Sequence, residues 1–119
     1  MRWHIVIPLA SPGLNEIIGK NHYLRSKERD DWFFIIRAAP TFLGITPASG
    51  KRHLRIERHG KREMDLDNII GGAKQVITDN LIKLKLLVDD KPQFLDISAA
   101  NGTLNHKEKP YTILILEDV

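Results

Sequence analysis

Cysteine is absent from this chain of 119 residues. Its absence excludes disulfide bonds, thiolate zinc sites and cysteine nucleophiles, and is typical of an intracellular protein. Long hydrophobic runs are lacking as well. The apolar run at 5–10 is too short to span a membrane, and the residues around it do not have the layout of a signal peptide. We therefore expect a cytoplasmic protein that has no membrane partner.

Linkers rich in Pro, Gly or Ser, internal repeats and low-complexity segments are also missing. With 42% hydrophobic and 28% charged residues, the chain has the composition of a globular protein, and we expect a single domain over residues 1–119. A Gly-rich phosphate loop of the G-x-x-x-x-G-K-[ST] type is absent too, which argues against a Mg²⁺-dependent phosphotransferase.

Charge is distributed unevenly along the chain, although its net value is only +3. Residues 1–64 carry twelve Lys or Arg and six Asp or Glu, whereas residues 65–119 carry six and nine. A basic first half and an acidic second half suggest an anionic partner held by one part and a metal ion held by the other.

Hydrophobic periodicity and turn residues predict an α+β fold with the element order β-α-β-α-β-β. The predicted sheet is small, mixed or antiparallel, and packed with two helices. The predicted elements are a strand at 2–9, a loop at 11–25, helices at 26–39 and 68–85, and further strands at 51–59, 94–100 and 111–117. Ser26 is the expected N-cap of the first helix, and Pro8 marks either the end of the first strand or an edge position.

The middle of the first predicted helix, 32–36, is apolar on every face. Such a helix is covered on both sides. One side is expected to pack on the sheet, and the other either on a partner chain or under loops of the same chain.

Acidic residues bracket the second predicted helix. Asp65 and Asp67 precede it, and two residues so spaced in an extended segment face the same side. Asp89 and Asp90 follow it, and the intervening chain is long enough to fold back on the first pair. Because carboxylates that share a site repel one another, a divalent cation such as Mg²⁺ between them would remove the conflict.

Lys74 lies seven positions after Asp67 and so falls on the same helix face, where it could approach a phosphate held at the acids. Gly71 and Gly72 lie between them, and glycine inside a helix costs about 1 kcal/mol relative to alanine. The missing side chains would let a nucleic-acid backbone, a partner helix or the lysine stem pass close by.

Each of these features also has a purely structural interpretation. Asp67 or Asn68 could be the N-cap of the helix, and Asp89-Asp90 could form a solvated turn. Lys74 could be an ordinary surface lysine, and the glycine pair could serve helix packing.

In this pattern the chain resembles the RusA-type Holliday junction resolvases, small endonucleases of bacteria and prophages. The likeness is carried by Asp65-Leu66-Asp67-Asn68, the helix that follows, and the segment 87–90 with its Asp89-Asp90 pair. It extends to the strand end at Ile7-Pro8, the loop with Pro12 and Asn15, and a final hairpin.

The resemblance implies a Mg²⁺-dependent homodimer that binds four-way DNA junctions and nicks two strands symmetrically, with Mn²⁺ as an alternative metal. It places the metal-binding and catalytic acids at Asp65, Asp67 and Asp90, with Asp89 supporting. The catalytic lysine of the best-known members would fall at Gly71, whereas in a phage-like subgroup it matches Lys74.

The sequence thus leads to the hypothesis of an endonuclease acting on branched DNA in recombination and repair. The expected contacts to the phosphate backbone come from basic residues of the first half, which are Lys20, Arg25, Lys27, Lys61 and Arg62. A C2 dimer suits a two-fold symmetric junction, and its interface could come from the apolar first helix or the Gly71-Gly72 face. The alternative is a non-catalytic DNA-binding phage accessory protein whose acidic cluster is structural or degenerate.

Overall fold

A computed structural model describes all 119 residues as a four-stranded sheet with four α-helices. The strands are β1 (Arg2–Ile7), β2 (Arg52–His59), β3 (Leu95–Asn101) and β4 (Tyr111–Asp118). The helices are α1 (Leu14–Ile18), α2 (His22–Ala38), α3 (Leu66–Val76) and α4 (Thr78–Lys83), with a 3₁₀ turn at Phe42–Gly44. None of the helices combines the length and the apolar character that crossing a membrane requires.

The sheet is mixed and has the spatial order β1-β4-β2-β3. β4 lies inside it, antiparallel to both β1 and β2, while β3 pairs in parallel with β2. The predicted α+β class with a small mixed sheet is therefore confirmed. β1 is an edge strand, as Pro8 directly after it indicated.

The expected final hairpin is wrong, because β2 lies between β3 and β4. The α3–α4 segment connects β2 to β3 as a crossover, and such a connection makes the two strands parallel neighbours. β4 then occupies the gap between β1 and β2, so the polar loop 102–110 has to pass over the end of β2.

One face of the sheet supplies the core. Buried side chains alternate along the strands, as Ile5 and Ile7 do in β1 and Leu54 and Ile56 do in β2. Helices α2 and α3 contribute Trp32, Ile36, Ile69, Ala73 and Val76 to the same cluster.

The predicted loop at 11–25 is only partly a loop, since it contains α1 and the first turn of α2. The N-cap of α2 is Asn21 and not Ser26, because the Asn21 side chain accepts a hydrogen bond of 2.9 Å from the Leu24 amide. Within α2, Trp32 and Ile36 are buried and Phe34 is 63% exposed. This chain therefore covers one side of the apolar segment and leaves the side of Phe34 open.

The helix predicted over 68–85 is divided into α3 and α4 at Ile77. Side chains compete here for the carbonyl groups of the last α3 turn. The Asn80 side-chain amide donates to the Val76 carbonyl at 2.7 Å, and the Thr78 hydroxyl donates to that of Lys74 at 3.2 Å. Ile77 and Thr78 are β-branched, which further lowers the preference for an uninterrupted helix.

Candidate functional site

The acidic motif lies at the start of α3. Asp65 occupies the N-cap position, and its carbonyl accepts the amides of Asn68 and Ile69 at 3.0 and 3.1 Å. The prediction that Asp67 or Asn68 caps the helix is therefore wrong. Because the helix begins at Leu66, Asp67 lies in its first turn and not in an extended segment.

The carboxylates of Asp65 and Asp67 are exposed and have no hydrogen-bond or ion-pair partner. Asp65 does not use its side chain as a cap. Asp67 lies where the positive end of the α3 dipole favours an acid. Both carboxylates are therefore free to accept a ligand from solvent.

Asn68, the fourth residue of the motif, has a structural partner. Its side-chain oxygen accepts a hydrogen bond of 2.9 Å from the amide of Asn15 in α1. This bond ties the N-terminal turn of α3 to the β1–α2 connection, so Asn68 helps to hold the helix that carries Asp67.

Gly71 and Gly72 also allow the β1–α2 connection to pack closely against α3. A Cβ atom at Gly72 would lie 1.9 Å from the Pro12 carbonyl oxygen, and one at Gly71 would meet Leu14 side-chain atoms at 2.9 Å. The small residues thus let the 12–14 segment lie directly on α3, as the packing interpretation predicted. The Gly71-Gly72 face cannot supply a dimer interface, because this chain already covers it.

Asp89 and Asp90 lie in the connection between α4 and β3. The Asp89 carboxylate accepts a hydrogen bond of 2.7 Å from the Asp90 amide. This bond and the neighbouring Asp90 side chain lower the pKa of Asp89 below the ordinary 3.8, and the nearby Lys91 charge adds to the effect. The Asp90 carboxylate is exposed, lies beside that of Asp89 and forms no ion pair.

Lys74 and Asp90 line one cavity of about 320 Å³. Its other lining residues come from the start of β3 and the turn before it, and are Pro92, Leu95, Asp96 and Ile97. Lys74 and Asp90 thus lie at the same cavity, although they form no ion pair with each other. Asp65 and Asp67 do not line this cavity.

The structure does not bring the acids together as closely as their sequence pattern predicted. It contains no group of three or more His, Cys, Asp or Glu residues that could hold a metal ion. The reason is that α3 runs antiparallel to β3: Met64 contacts Asn101 at the end of β3, whereas Lys74 lies near Leu95 at its start. Asp67 and the Lys74 cavity are therefore separated by about 10 Å along the helix axis.

The donor chemistry nevertheless suits a hard cation. Mg²⁺ is commonly bound through one or two carboxylates, with water and substrate phosphates completing the shell. Asp65 at the N-cap and Asp67 in the first turn of α3 offer two exposed carboxylates. Their donor type suits such a cation, and the structure does not gather them into a site of three acids.

Two of the five residues predicted to contact DNA form ion pairs within the protein, and three do not. Lys20 pairs with Glu28, and Lys27 pairs with Asp31 at 3.2 Å. The side chains of the other three, Arg25, Lys61 and Arg62, are exposed and unpaired.

Arg58 is a functional candidate that sequence reasoning missed. It lines a cavity of about 470 Å³ together with Lys61 and Arg62. Its guanidinium donates to the carbonyls of Ser11 at 2.9 Å and Arg62 at 3.2 Å. Arg58 thereby fixes the basic turn before the acidic motif, and its place in β2 gave no signal of this role.

Asn101 is the second residue that the sequence did not single out. It lies at the end of β3, and its side chain forms hydrogen bonds of 3.0 and 2.8 Å with the amide and carbonyl of Met64. An Asn-Gly pair such as that at 101–102 is typical of a turn, and nothing in the sequence connects it to Met64.

Comparison of the chain with protein-family models gives no match, and no curated protein matches it.

Proposed function

We propose that this protein is a Mg²⁺-dependent endonuclease that nicks branched DNA, as its resemblance to the RusA-type resolvases implies. The observation that carries the proposal is that Asp65, Asp67 and Asp90, the three acids of the motif, are all exposed and form no ion pair within the protein. Acids with a structural role in this chain are engaged, as Asp118 is by Arg52 at 2.8 Å. Free carboxylates are what a cation site requires before its ion binds.

Asp65 and Asp67 are the proposed metal ligands, with Asp90 and its neighbour Asp89 contributing from the turn before β3. Bound Mg²⁺, or Mn²⁺ in its place, supplies an activated water and neutralises charge on the scissile phosphate. Lys74, which shares a cavity with Asp90, would offset negative charge on the phosphate oxygens.

DNA would be held through phosphate contacts. Arg25, Lys61 and Arg62 are the best placed of the basic candidates because their side chains are exposed and unpaired. Lys20 and Lys27 would have to exchange their carboxylate partners for phosphate. Affinity that depends on such contacts falls steeply with salt concentration.

Symmetric nicking of a four-way junction calls for two active sites related by a two-fold axis, and hence for a homodimer. The exposed side of the apolar segment in α2, which includes Phe34, is the remaining candidate for its interface.

The test is cleavage of a labelled four-way junction beside a linear duplex of the same sequence, with Mg²⁺ or with EDTA. We expect cutting of the junction with Mg²⁺ only, and none by Asp67→Asn, which keeps the side-chain shape and removes its charge. Asp30→Asn is the matched control, since Asp30 is an exposed acid of α2 without an ion-pair partner.

Equal cutting by Asp67→Asn and wild type would contradict the assignment of the site. Efficient cutting of plain duplex would keep the nuclease and remove the junction specificity. The second candidate function is a non-catalytic DNA-binding accessory protein, which is favoured by the absence of a three-acid metal group. It predicts junction binding with no cutting under any metal condition.

A further inference from the structure

Arg58 carries a positive charge that no carboxylate of the protein neutralises. Its Nε donates to the carbonyl of the buried Ser11 at 2.9 Å, and its Nη1 donates to the carbonyl of Arg62 at 3.2 Å. The side chain is half-buried and forms no ion pair. A guanidinium has five N–H donors, and backbone carbonyls accept from two of its nitrogens without cancelling the charge. Because a partly buried charge without a partner is unfavourable, this group calls for an anion.

Gly60 makes room for this guanidinium. A Cβ atom at position 60 would overlap Nη1 of Arg58 and would lie 2.9 Å from its Cζ. No glycine of the chain has a positive φ, so the backbone conformation does not explain the choice of glycine. Arg58 belongs to β2, which pairs with β3 on one side and with β4 on the other, and this pairing fixes its backbone. The guanidinium therefore has a defined position, set by a strand and by two carbonyl groups.

Lys61 and Arg62 bring two further positive charges to the same place. With Arg58 they line a cavity of about 470 Å³, and their side chains are exposed and unpaired. The bond from Arg58 to the Arg62 carbonyl holds the turn that carries both residues. Two carboxylates, Glu16 and Glu63, also line the cavity, yet they are exposed and pair with none of the three cations. Like charges that share a site repel one another, and a bound anion would remove that repulsion.

We propose that Arg58, Lys61 and Arg62 form a binding pocket for a phosphate group. The planar fork of a guanidinium matches two oxygens of a phosphate, and a lysine adds a compact positive charge. The pocket requires no metal ion and does not include the acids of the motif. The inference rests on the proposed function only for the source of the phosphate, which is then the backbone of DNA. A free phosphate ester offers the same chemistry.

The experiment titrates inorganic phosphate into the isotope-labelled protein, without Mg²⁺, and follows the NMR signals of the amides at 60–64 and of the Arg58 Nε–H. We expect saturable shifts of these signals in the wild-type protein. Gly60→Ala keeps all three cations and displaces the guanidinium, so its dissociation constant should rise by about 10- to 100-fold. The variant should fold, because the nearest atoms that must move are the end of a flexible side chain.

Gly50→Ala is the matched control, since a Cβ atom at Gly50 would have no neighbour within 4 Å. It should bind phosphate as the wild-type protein does. Arg58→Gln removes the charge and should weaken phosphate binding about as much as Gly60→Ala does. Glu63→Gln removes a carboxylate from the cavity and should bind phosphate more tightly than wild type. This gain would not follow if Arg58 served only to hold the turn.

Absence of saturable shifts in the wild-type protein, or equal phosphate affinity in Gly60→Ala and wild type, would overturn the pocket and leave the nuclease proposal intact. Adding a four-way junction in EDTA identifies the source of the phosphate. We expect the junction to displace inorganic phosphate and to shift the Arg58 Nε–H signal. Junction binding that leaves this signal and the bound phosphate unchanged would overturn DNA as the source and keep the pocket for a free phosphate ester. A wild-type protein that binds phosphate and cuts no junction with Mg²⁺ would overturn the nuclease alone.

Discussion

Replacing Gly72 by alanine should destabilise the protein, although alanine is the better helix former. Gly72 lies inside α3, where the substitution alone would stabilise the helix by about 1 kcal/mol. The added Cβ, however, would lie 1.9 Å from the Pro12 carbonyl oxygen, 2.8 Å from the Pro12 carbonyl carbon and 2.9 Å from that of Gly13. All three are backbone atoms, and a side-chain rotation cannot relieve the overlap.

The size of the effect follows from these opposing terms. Pro12, Gly13 and Gly72 are all buried, so the 12–13 backbone must shift away from α3 and disturb the packing beneath it. Overpacking in a filled interior costs about 1–3 kcal/mol, and a clash with backbone lies at the upper end of that range. With the helix gain deducted, we expect a net loss of about 2 kcal/mol in the free energy of unfolding.

Gly71→Ala is the matched control on the same helix. Its Cβ would lie 2.9 Å from Cβ and Cδ2 of Leu14, an overlap that is much smaller than the 1.9 Å approach at Gly72. Rotation of the half-buried Leu14 side chain would move Cδ2, and a small shift of α1 would relieve the contact with Cβ. We expect this variant to lie within about 1 kcal/mol of wild type. Urea unfolding followed by far-UV circular dichroism, with the fluorescence of the buried Trp32 as a second probe, measures both.

A Gly72→Ala protein as stable as Gly71→Ala would refute the reasoning, because it would mean that the 12–13 backbone does not lie on α3. The interpretation in which the glycines make room for DNA gives a different result. It predicts that Gly72→Ala keeps its stability and loses affinity for the junction.

Two further predictions concern stability and its dependence on pH. Lys85→Gly should raise the free energy of unfolding by about 1 kcal/mol, measured by thermal unfolding, because Lys85 directly follows the C-cap of α4 and has a left-handed φ of 65° that disfavours a side chain. The Arg52 hydrogen bond holds the pKa of Asp118 below the ordinary 3.8. The stabilisation from this pair is therefore present above pH 3.8 and is lost as the pH falls through the lowered pKa. Acid unfolding should show a smaller loss of stability over this range in Asp118→Asn than in wild type, and identical profiles would contradict this attribution.

The strands could be predicted from the sequence because alternation is a local property. β2 and β4 were expected at 51–59 and 111–117 and occur at Arg52–His59 and Tyr111–Asp118. The pairing of the strands could not be predicted in the same way. A polar loop between two strands is typical of a hairpin, and nothing local shows that β2 lies between β3 and β4.

The predicted helix boundaries were wrong where side chains form hydrogen bonds with the backbone. Ser26 has the right residue type for an N-cap, yet Asn21 performs that role and α2 begins four residues earlier than Ser26. Periodicity could not reveal the break at Ile77 either, since the apolar stripe continues through it. The break depends in part on the Asn80 amide, whose bond to Val76 exists only in the folded chain.

In the candidate site, too, local features could be predicted from the sequence and long-range contacts could not. Asp65, Asp67 and Asp90 are exposed, and Lys74 lines a cavity with Asp90 and with neither of the other two acids. The contacts that hold the site could not be predicted. Asn101 is 37 residues from Met64, and a bond over that separation depends on how β3 enters the sheet.

These contacts also indicate which part of the site must move if the acids are to converge on one ion. The start of α3 is held by Asn101 at Met64, by the Asn68 bond to Asn15 and by the close approach of Pro12 to Gly72. Asp90 is held less firmly, because the hydrogen bond of its amide goes to the side chain of the adjacent Asp89. Asp90 is also exposed and lies between α4 and β3, outside any regular element. Convergence of the acids on one ion would therefore require the Asp89-Asp90 turn to move toward Asp65 and Asp67, which the start of α3 holds in place.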